Sequence, residues 1–226
     1  MTEEEWLECD ELARLLEQLR DRTTDRKLRL FACGCCRLAW HLLTESLHRM
    51  SVEVAERFAD GLARREELAR TNDVESVVFR ATQPGTPYRL KDAISAAFNI
   101  ADAVAEEQHP DAFSDYEEHL AAFTVKSAEV SAQATLLKDI FGNPFQIITI
   151  IPSWLRWNDQ LVTSLAQTAY DDRILPAGTL DNTRLLILAD ALEEAGCTDE
   201  QILTHLRGDG EHYRGCWVID ALLNKS

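Results

Sequence analysis

The sequence predicts an all-α fold, a multi-helix bundle around a buried central helix, and three observations predict it. Apolar residues recur at three- and four-residue intervals through most of the chain, the signature of helices with one buried face. The stretch Asp25 to Leu43, DRKLRLFACGCCRLAWHLL, is apolar on most of its circumference. Strand chemistry dominates in one place only, the run PFQIITIIP, where β-branched residues lie between two prolines.

The central stretch (about 25–43) carries Leu28, Phe31, Ala32, Cys35, Leu38, Ala39 and Leu42 on one stripe. Leu30, Cys33, Cys36, Trp40 and Leu43 form a second stripe beside it. A helix so apolar must be wrapped by others. Its polar residues Lys27, Arg29, Arg37 and His41 then need partners or a route to water, because an isolated buried charge costs several kcal/mol. Thr24 or Asp25 suits the N-cap. Gly34 marks a place where another helix can come close.

On either side, Trp6, Cys9, Leu12, Leu16 and Leu19 predict an amphipathic helix over Glu3 to Arg20. Val52, Ala55, Phe58, Ala59 and Leu62 predict another, capped by Ser51 and reaching about Arg70. DVESVVFRAT fits helix or strand, and QPGTPY is a break, read as a flexible loop over 83–89. Leu90 to Val104 is helical, ending at His109-Pro110. The next helix is capped by Ser114 and runs to Phe141, where Gly142, Asn143 and Pro144 stop it. The single β-branched run near 145–151 has no partner strand and is expected to be an extended crossover. Asn158 or Asp159 is expected to cap a helix through Tyr170, and Asp181 one that stops at Gly196. Thr198 and Gln201 predict a capping box for a third helix, and a last short helix, CWVIDALL, follows the glycine-punctuated loop RGDGEHYRG. The chain therefore reads as one helical domain, 1–226, with a split into 1–82 and 90–226 as the alternative. No internal repeat is visible.

Composition narrows the function. Acidic residues number 39 against 23 basic, a formal net charge of -16. This balance argues against generic nucleic-acid or anionic-membrane binding, which depends on Lys and Arg meeting phosphates. The local exception, Arg20, Arg22, Arg26, Lys27, Arg29 and Arg37, reads as an ion-pair seam with acidic neighbours, a patch for an anionic partner being the other reading. No apolar run is long enough to span a bilayer, and the N-terminus is acidic, unlike a signal peptide, so a cytoplasmic location is expected. Three of the six cysteines crowd into CGCC, so reduced thiols or metal ligands are better readings than disulfides.

The sharpest chemical constellation is Cys33, Cys36, His212 and Cys216. On helices Cys33 and Cys36 share a face at i, i+3, and His212 and Cys216 are spaced i, i+4. Facing each other, the two pairs would supply the Cys₃His set that suits a structural zinc ion; buried thiols with no ligand role are the plainer reading. A thiol nucleophile, Cys216 beside His212 or Cys36 beside His41, lacks a third orienting residue and an oxyanion-hole motif. Arg214 and its neighbouring glycines could cradle an anion, but the sequence has no phosphate-loop lysine and no G-x-G-x-x-G. The carboxylates Asp171, Asp172, Asp190, Glu193 and Glu194 read as a solvated face. His109, Glu118 and His119 match no metalloprotease or di-iron spacing, and Trp154 and Trp157 read as core. No catalytic or cofactor-binding residue is assigned.

The blocks DRKLRLFACGCCRLAWHLL, LLKDIFGNPF, LILADALEEAGC and HLRGDGEHYRGCWVIDALL resemble those of an uncharacterised bacterial family of small, mostly helical proteins. RLLILADALEEAG is locally similar to a segment of the repeat-companion domain found beside bacterial repeat arrays. The family resemblance implies no activity, and implies that the two ends form one structural unit. The functional expectation is a non-enzymatic helical interaction or regulatory module with a protein or peptide partner. The alternative is a protein with a Cys/His zinc site or reactive thiol, structural or hydrolytic.

Overall fold

The computed structural model describes residues 1–19, 22–38, 40–43, 46–71 and 130–225. Among them the fold is all-α, without strands. The loop expected at 83–89, the helices expected over 90–104 and from Ser114 to 129, and His109, Glu118 and His119 lie outside the described residues. The chain divides into two compact units, Met1–Thr135 and Leu136–Ser226.

The first unit opens with α1 (Glu3–Glu8). The Thr2 hydroxyl accepts from the Glu5 N–H (3.2 Å), and the Glu5 carboxylate accepts from the Thr2 N–H (2.8 Å). This reciprocal cap satisfies two amides of the first turn. The helix expected over Glu3 to Arg20 is two: Cys9 turns extended (φ -71, ψ 131) and α2 (Leu12–Leu19) follows. The apolar stripe survives the break, because Trp6, Cys9, Leu12, Leu16 and Leu19 are all buried.

The central helix α3 spans Asp25–Leu38 and is buried without interruption from Leu30 to Arg37. It is shorter than the expected 25–43, since Trp40–Leu42 tightens into a 3₁₀ turn. Helix α4 (Ser46–Ala59) packs on α3. It begins ahead of Ser51, which lies buried inside the helix instead of capping it. Gly61, at φ +70, ends it in a left-handed residue that glycine adopts without steric cost. A short α5 (Arg65–Thr71) packs back on α4.

The polar residues of α3 find partners. Arg37 donates from Nε and Nη2 to the two carboxylate oxygens of Glu56 (2.7 and 2.8 Å), a fork-to-fork ion pair with both side chains at least 95% buried. The Arg37 guanidinium also lies 4.6 Å from the centroid of the Trp40 ring. Arg26 pairs with Asp60 at 3.0 Å, and Arg29 sits over the Phe58 ring. His41 reaches the surface. The ion-pair seam expected of this basic stretch is therefore present between α3 and the α4 region.

Helix α6 (Val130–Phe141) runs across the division and stops at Gly142 (φ +69), as its sequence predicts. An irregular segment follows, with Ile148 and Ile150 packed on the core and Ile147 and Ile151 exposed. Residues Pro152–Asp171 form α7, two helical stretches joined across a non-helical kink at Trp157 to Gln160, with Pro152 at the first position, where a missing N–H is harmless. Asn158 and Asp159 lie in that kink, just ahead of the stretch that runs through Tyr170. Together with Gln160 they take left-handed backbone angles (φ 46, 55 and 65) in a kink within the helix. Asn and Asp tolerate that region; Gln160 adopts it at a steric cost. The Thr163 hydroxyl donates across the kink to the Leu155 carbonyl at 3.3 Å.

Helix α8 (Asn182–Glu194) is capped by Asp181 and ends before Gly196 (φ +91). Helix α9 (Glu200–Arg207) is capped by Asp199 and not by Thr198; the Asp199 carboxylate accepts from the N–H groups of Gln201 and Ile202. A carboxylate at that position also favours the positive end of the helix dipole. Helix α10 (Trp217–Leu223) closes the chain. Helix α7 packs on α8 and α10, α8 on α9, and α9 on α10. Val162, Ala166, Leu185, Leu188, Ile202 and Ile219 are among the fully buried residues of their shared core. No helix among the described residues is long and apolar enough to cross a membrane.

Candidate metal centre

Four side chains converge at one edge of that core: Asp139 of α6, His205 of α9, His212 of the loop after α9, and Cys216 at the N-cap of α10. Each places one ligand atom so that all four lie within 4.8 Å of one another. Local folding sets each position. Asp139 lies one turn before the end of α6 on the face of Leu136 and Ile140, so it is carried into the interior. His205 occupies the last turn of α9.

His212 is held by its backbone. The Leu180 N–H donates to the His212 carbonyl at 2.7 Å, Thr179 makes a β-bridge to Tyr213, and the Asn182 side-chain amide donates to the Gly210 carbonyl. The Cys216 N–H then donates to Tyr213 O, closing a turn through Gly215 (φ +96) that delivers the thiol back beside the imidazole. The glycine-rich loop thus has a fixed conformation among the described residues. It turns the chain and aims His212 and Cys216 at one point.

Within the group the ring nitrogens share their partners. His205 Nε2 lies 3.2 Å from Cys216 Sγ and also 3.2 Å from Asp139 Oδ1. His212 Nδ1 lies 2.8 Å from the same carboxylate oxygen and 4.0 Å from the same sulfur. In a thiol–imidazole–carboxylate relay the two partners sit on opposite ring nitrogens, so that a proton taken at one is matched by a hydrogen bond at the other. Here each ring turns a single nitrogen toward both partners. Four donor atoms gathered in this way could hold a metal ion. Metal–nitrogen and metal–oxygen bonds of about 2.0–2.2 Å and a metal–sulfur bond of about 2.3 Å give tetrahedral edges of roughly 3.3 to 3.6 Å. Four of the six separations run from 2.8 to 4.0 Å, on either side of that range, and all six are within 4.8 Å.

The surroundings fit the same purpose. Asp139, His212 and Cys216 are almost wholly buried, and the His205 side chain is 20% exposed. The second Asp139 oxygen accepts from the Tyr213 N–H at 2.8 Å, fixing the carboxylate from behind as outer hydrogen bonds do for metal ligands. Burial pushes the Asp139 pKa up, but hydrogen bonds from His205 and His212 and their charge more than offset it, holding the carboxyl below its usual range. His212 Nε2 is buried with no hydrogen-bond partner among the described residues. Such a group costs about 1–3 kcal/mol, which is small beside the roughly 10–16 kcal/mol a structural zinc ion contributes in small domains. Asp139, His205, His212 and Cys216 thus form a buried group that can hold a metal ion. Comparison with family models, curated proteins and solved structures returned no match.

Two of the four ligands expected from the sequence, His212 and Cys216, are members of this group. Cys33 and Cys36 are not. Both belong to α3 of the first unit and are fully buried, and the Cys33 thiol lies 3.9 Å from the Val52 carbonyl. Burial, with Glu56 and neighbouring thiols adding to it, pushes both pKa values well above the ordinary range. Cys36 is therefore held as a protonated thiol, while His41 stands at the surface. In native protein at pH 8, Cys33 and Cys36 are expected to stay unlabelled by iodoacetamide and to react once the chain is denatured. Peptide mass spectrometry checks this, and native labelling at the rate of free cysteine would contradict it.

Sequence reasoning missed Asp139 and His205. His205 could have been found from H-x₆-H-x₃-C, a ligand-type spacing across a loop. Asp139 carries a weaker signal, a single carboxylate on the apolar face of LLKDIF, where an acid needs partners to be buried.

Proposed function

We propose that the protein is a non-catalytic helical interaction module whose C-terminal unit is organised by a structural zinc ion on Asp139, His205, His212 and Cys216. The carrying observation is the convergence of four ligand atoms from three segments, α6, α9 and the loop that leads into α10, in a largely buried site. One oxygen, two nitrogens and one sulfur are borderline donors suited to tetrahedral zinc. Four protein ligands complete the tetrahedron, whereas a catalytic zinc keeps one position for water or substrate.

Six free cysteines fit a reducing compartment, in keeping with the cytoplasm. The module would meet its protein or peptide partner through helical surface. In the C-terminal unit Leu186 and Ile187 of α8 are about half exposed, as are Ile174 and Leu175 of the preceding loop.

The test is elemental analysis of the purified full chain after a chelator wash, followed by cobalt substitution. One zinc per chain is expected, and a four-coordinate cobalt spectrum whose sulfur-to-metal charge-transfer band disappears in Cys216→Ser. Metal-free protein with a melting curve indifferent to chelator would overturn the reading. A five-coordinate spectrum with an exchangeable water would favour the hydrolytic alternative instead.

A further inference from the structure

One aromatic ring touches the metal group from outside it. Trp217, the residue after Cys216, places its indole 4.9 Å (centroid to centroid) from the His205 imidazole at 46°. The inner side of that imidazole meets His212 edge-on at 4.6 Å. His205 is also the one ligand with appreciable exposure; the other three are 4% exposed or less. The indole therefore stands against the most exposed of the four ligands.

The ring is seated by Gly142, three residues beyond the ligand Asp139. A Cβ built on Gly142 would lie 2.9 Å from Trp217 Cγ, closer than real side chains come, and 3.2 Å from Cδ2, a tight contact. Gly142 also has φ +69, so the position needs glycine twice over: to end α6 and to admit the indole. Trp217 is thus wedged between the backbone that follows one ligand and the ring of another.

We infer that Trp217, seated on Gly142, is the residue that closes the metal site and sets how fast its ion exchanges. This rests on the metal reading above. Trp217 contacts no metal; it is a positioning residue acting through His205, and outer contacts of this kind commonly change metal binding by about 10–100-fold.

The experiment follows zinc transfer from the loaded full-length protein to an excess of a chromogenic chelator by stopped flow. Trp217→Ala is expected to release zinc about tenfold faster or more at unchanged stoichiometry. Gly142→Ala, which leaves every ligand and the indole in the sequence, is expected to speed release similarly. Trp217→Phe retains a ring and should exchange near the wild-type rate, and it keeps the test decisive should the alanine variant not fold. Val162→Ala, a core truncation on α7, controls for general loosening. Cobalt should also quench tryptophan emission in the wild type, with most of that quenching lost in Trp217→Phe. Wild-type release rates in both Trp217→Ala and Gly142→Ala, or equal acceleration by Val162→Ala, would overturn the inference while leaving a zinc-loaded site standing. A wild-type protein that takes up no zinc would overturn the site itself.

Discussion

Asp139→Ala is expected to release the ion and destabilise the C-terminal unit by at least about 3 kcal/mol. The carboxylate accepts from the Tyr213 N–H through one oxygen and faces both imidazoles through the other. Hydrogen bonds to a charged group contribute about 1.5–3 kcal/mol each, and a buried donor left unpaired adds its own penalty. Loss of the ion comes on top. In urea titrations followed by circular dichroism, the wild type should unfold at lower denaturant in the presence of chelator, and Asp139→Ala should be weaker and indifferent to chelator. Asp139→Asn keeps an acceptor for Tyr213 and should fall between them. A variant with wild-type zinc content and an unchanged midpoint would refute the assignment of Asp139 as a ligand.

The second large effect is expected in the first unit. Arg37→Ala strands the Glu56 carboxylate in a buried setting, and breaking one side of a buried pair costs about 3–5 kcal/mol. Arg37 is held protonated there: burial works against its charge, but the Glu56 hydrogen bond and charge outweigh it, and its pKa is raised. Replacing both partners together, Arg37→Met with Glu56→Leu, removes two desolvated charges and should recover most of the loss. Urea midpoints of the two single variants and the double variant form the test. Additive single losses would mean that the pair is not coupled as its geometry requires.

The helices were legible where apolar period and end signals agreed. Asp181 caps α8, Gly196 follows it, Gly142 stops α6, and CWVIDALL is helical, each as local chemistry dictates. Boundaries failed where two signals competed. Ser51 has the chemistry of a cap, yet α4 already begins at Ser46 and carries Ser51 into the interior beside Val52 and Ala55. Asp199 displaced Thr198, a carboxylate being at least as good a cap and one residue better placed. At Asn158 and Asp159, cap-prone residues took the left-handed region they tolerate, in the break between two helical stretches.

The metal group was half legible for a related reason. His212 and Cys216 are close in sequence, and a helical or turn spacing reveals such a pair. Cys33 and Cys36 carried the same kind of signal, but on a helix buried all along its middle an i, i+3 thiol pair is equally what a greasy surface produces. Asp139 and His205 come from elements that meet only through tertiary packing, which periodicity does not encode.

One topological fact remains. Asp139 and His212 are 73 residues apart, and all of α7, α8 and α9 lies between them. An ion held at both ends would turn that stretch into a closed ring, the task a disulfide performs in oxidised proteins. By the chain-entropy relation such a cross-link would disfavour the unfolded ensemble by roughly 4 kcal/mol. A protein in a thiol-reducing environment would in this way obtain covalent-like tethering, undone by a chelator and not by a reductant. A chain nicked anywhere inside the ring would stay in one piece for as long as the ion was bound.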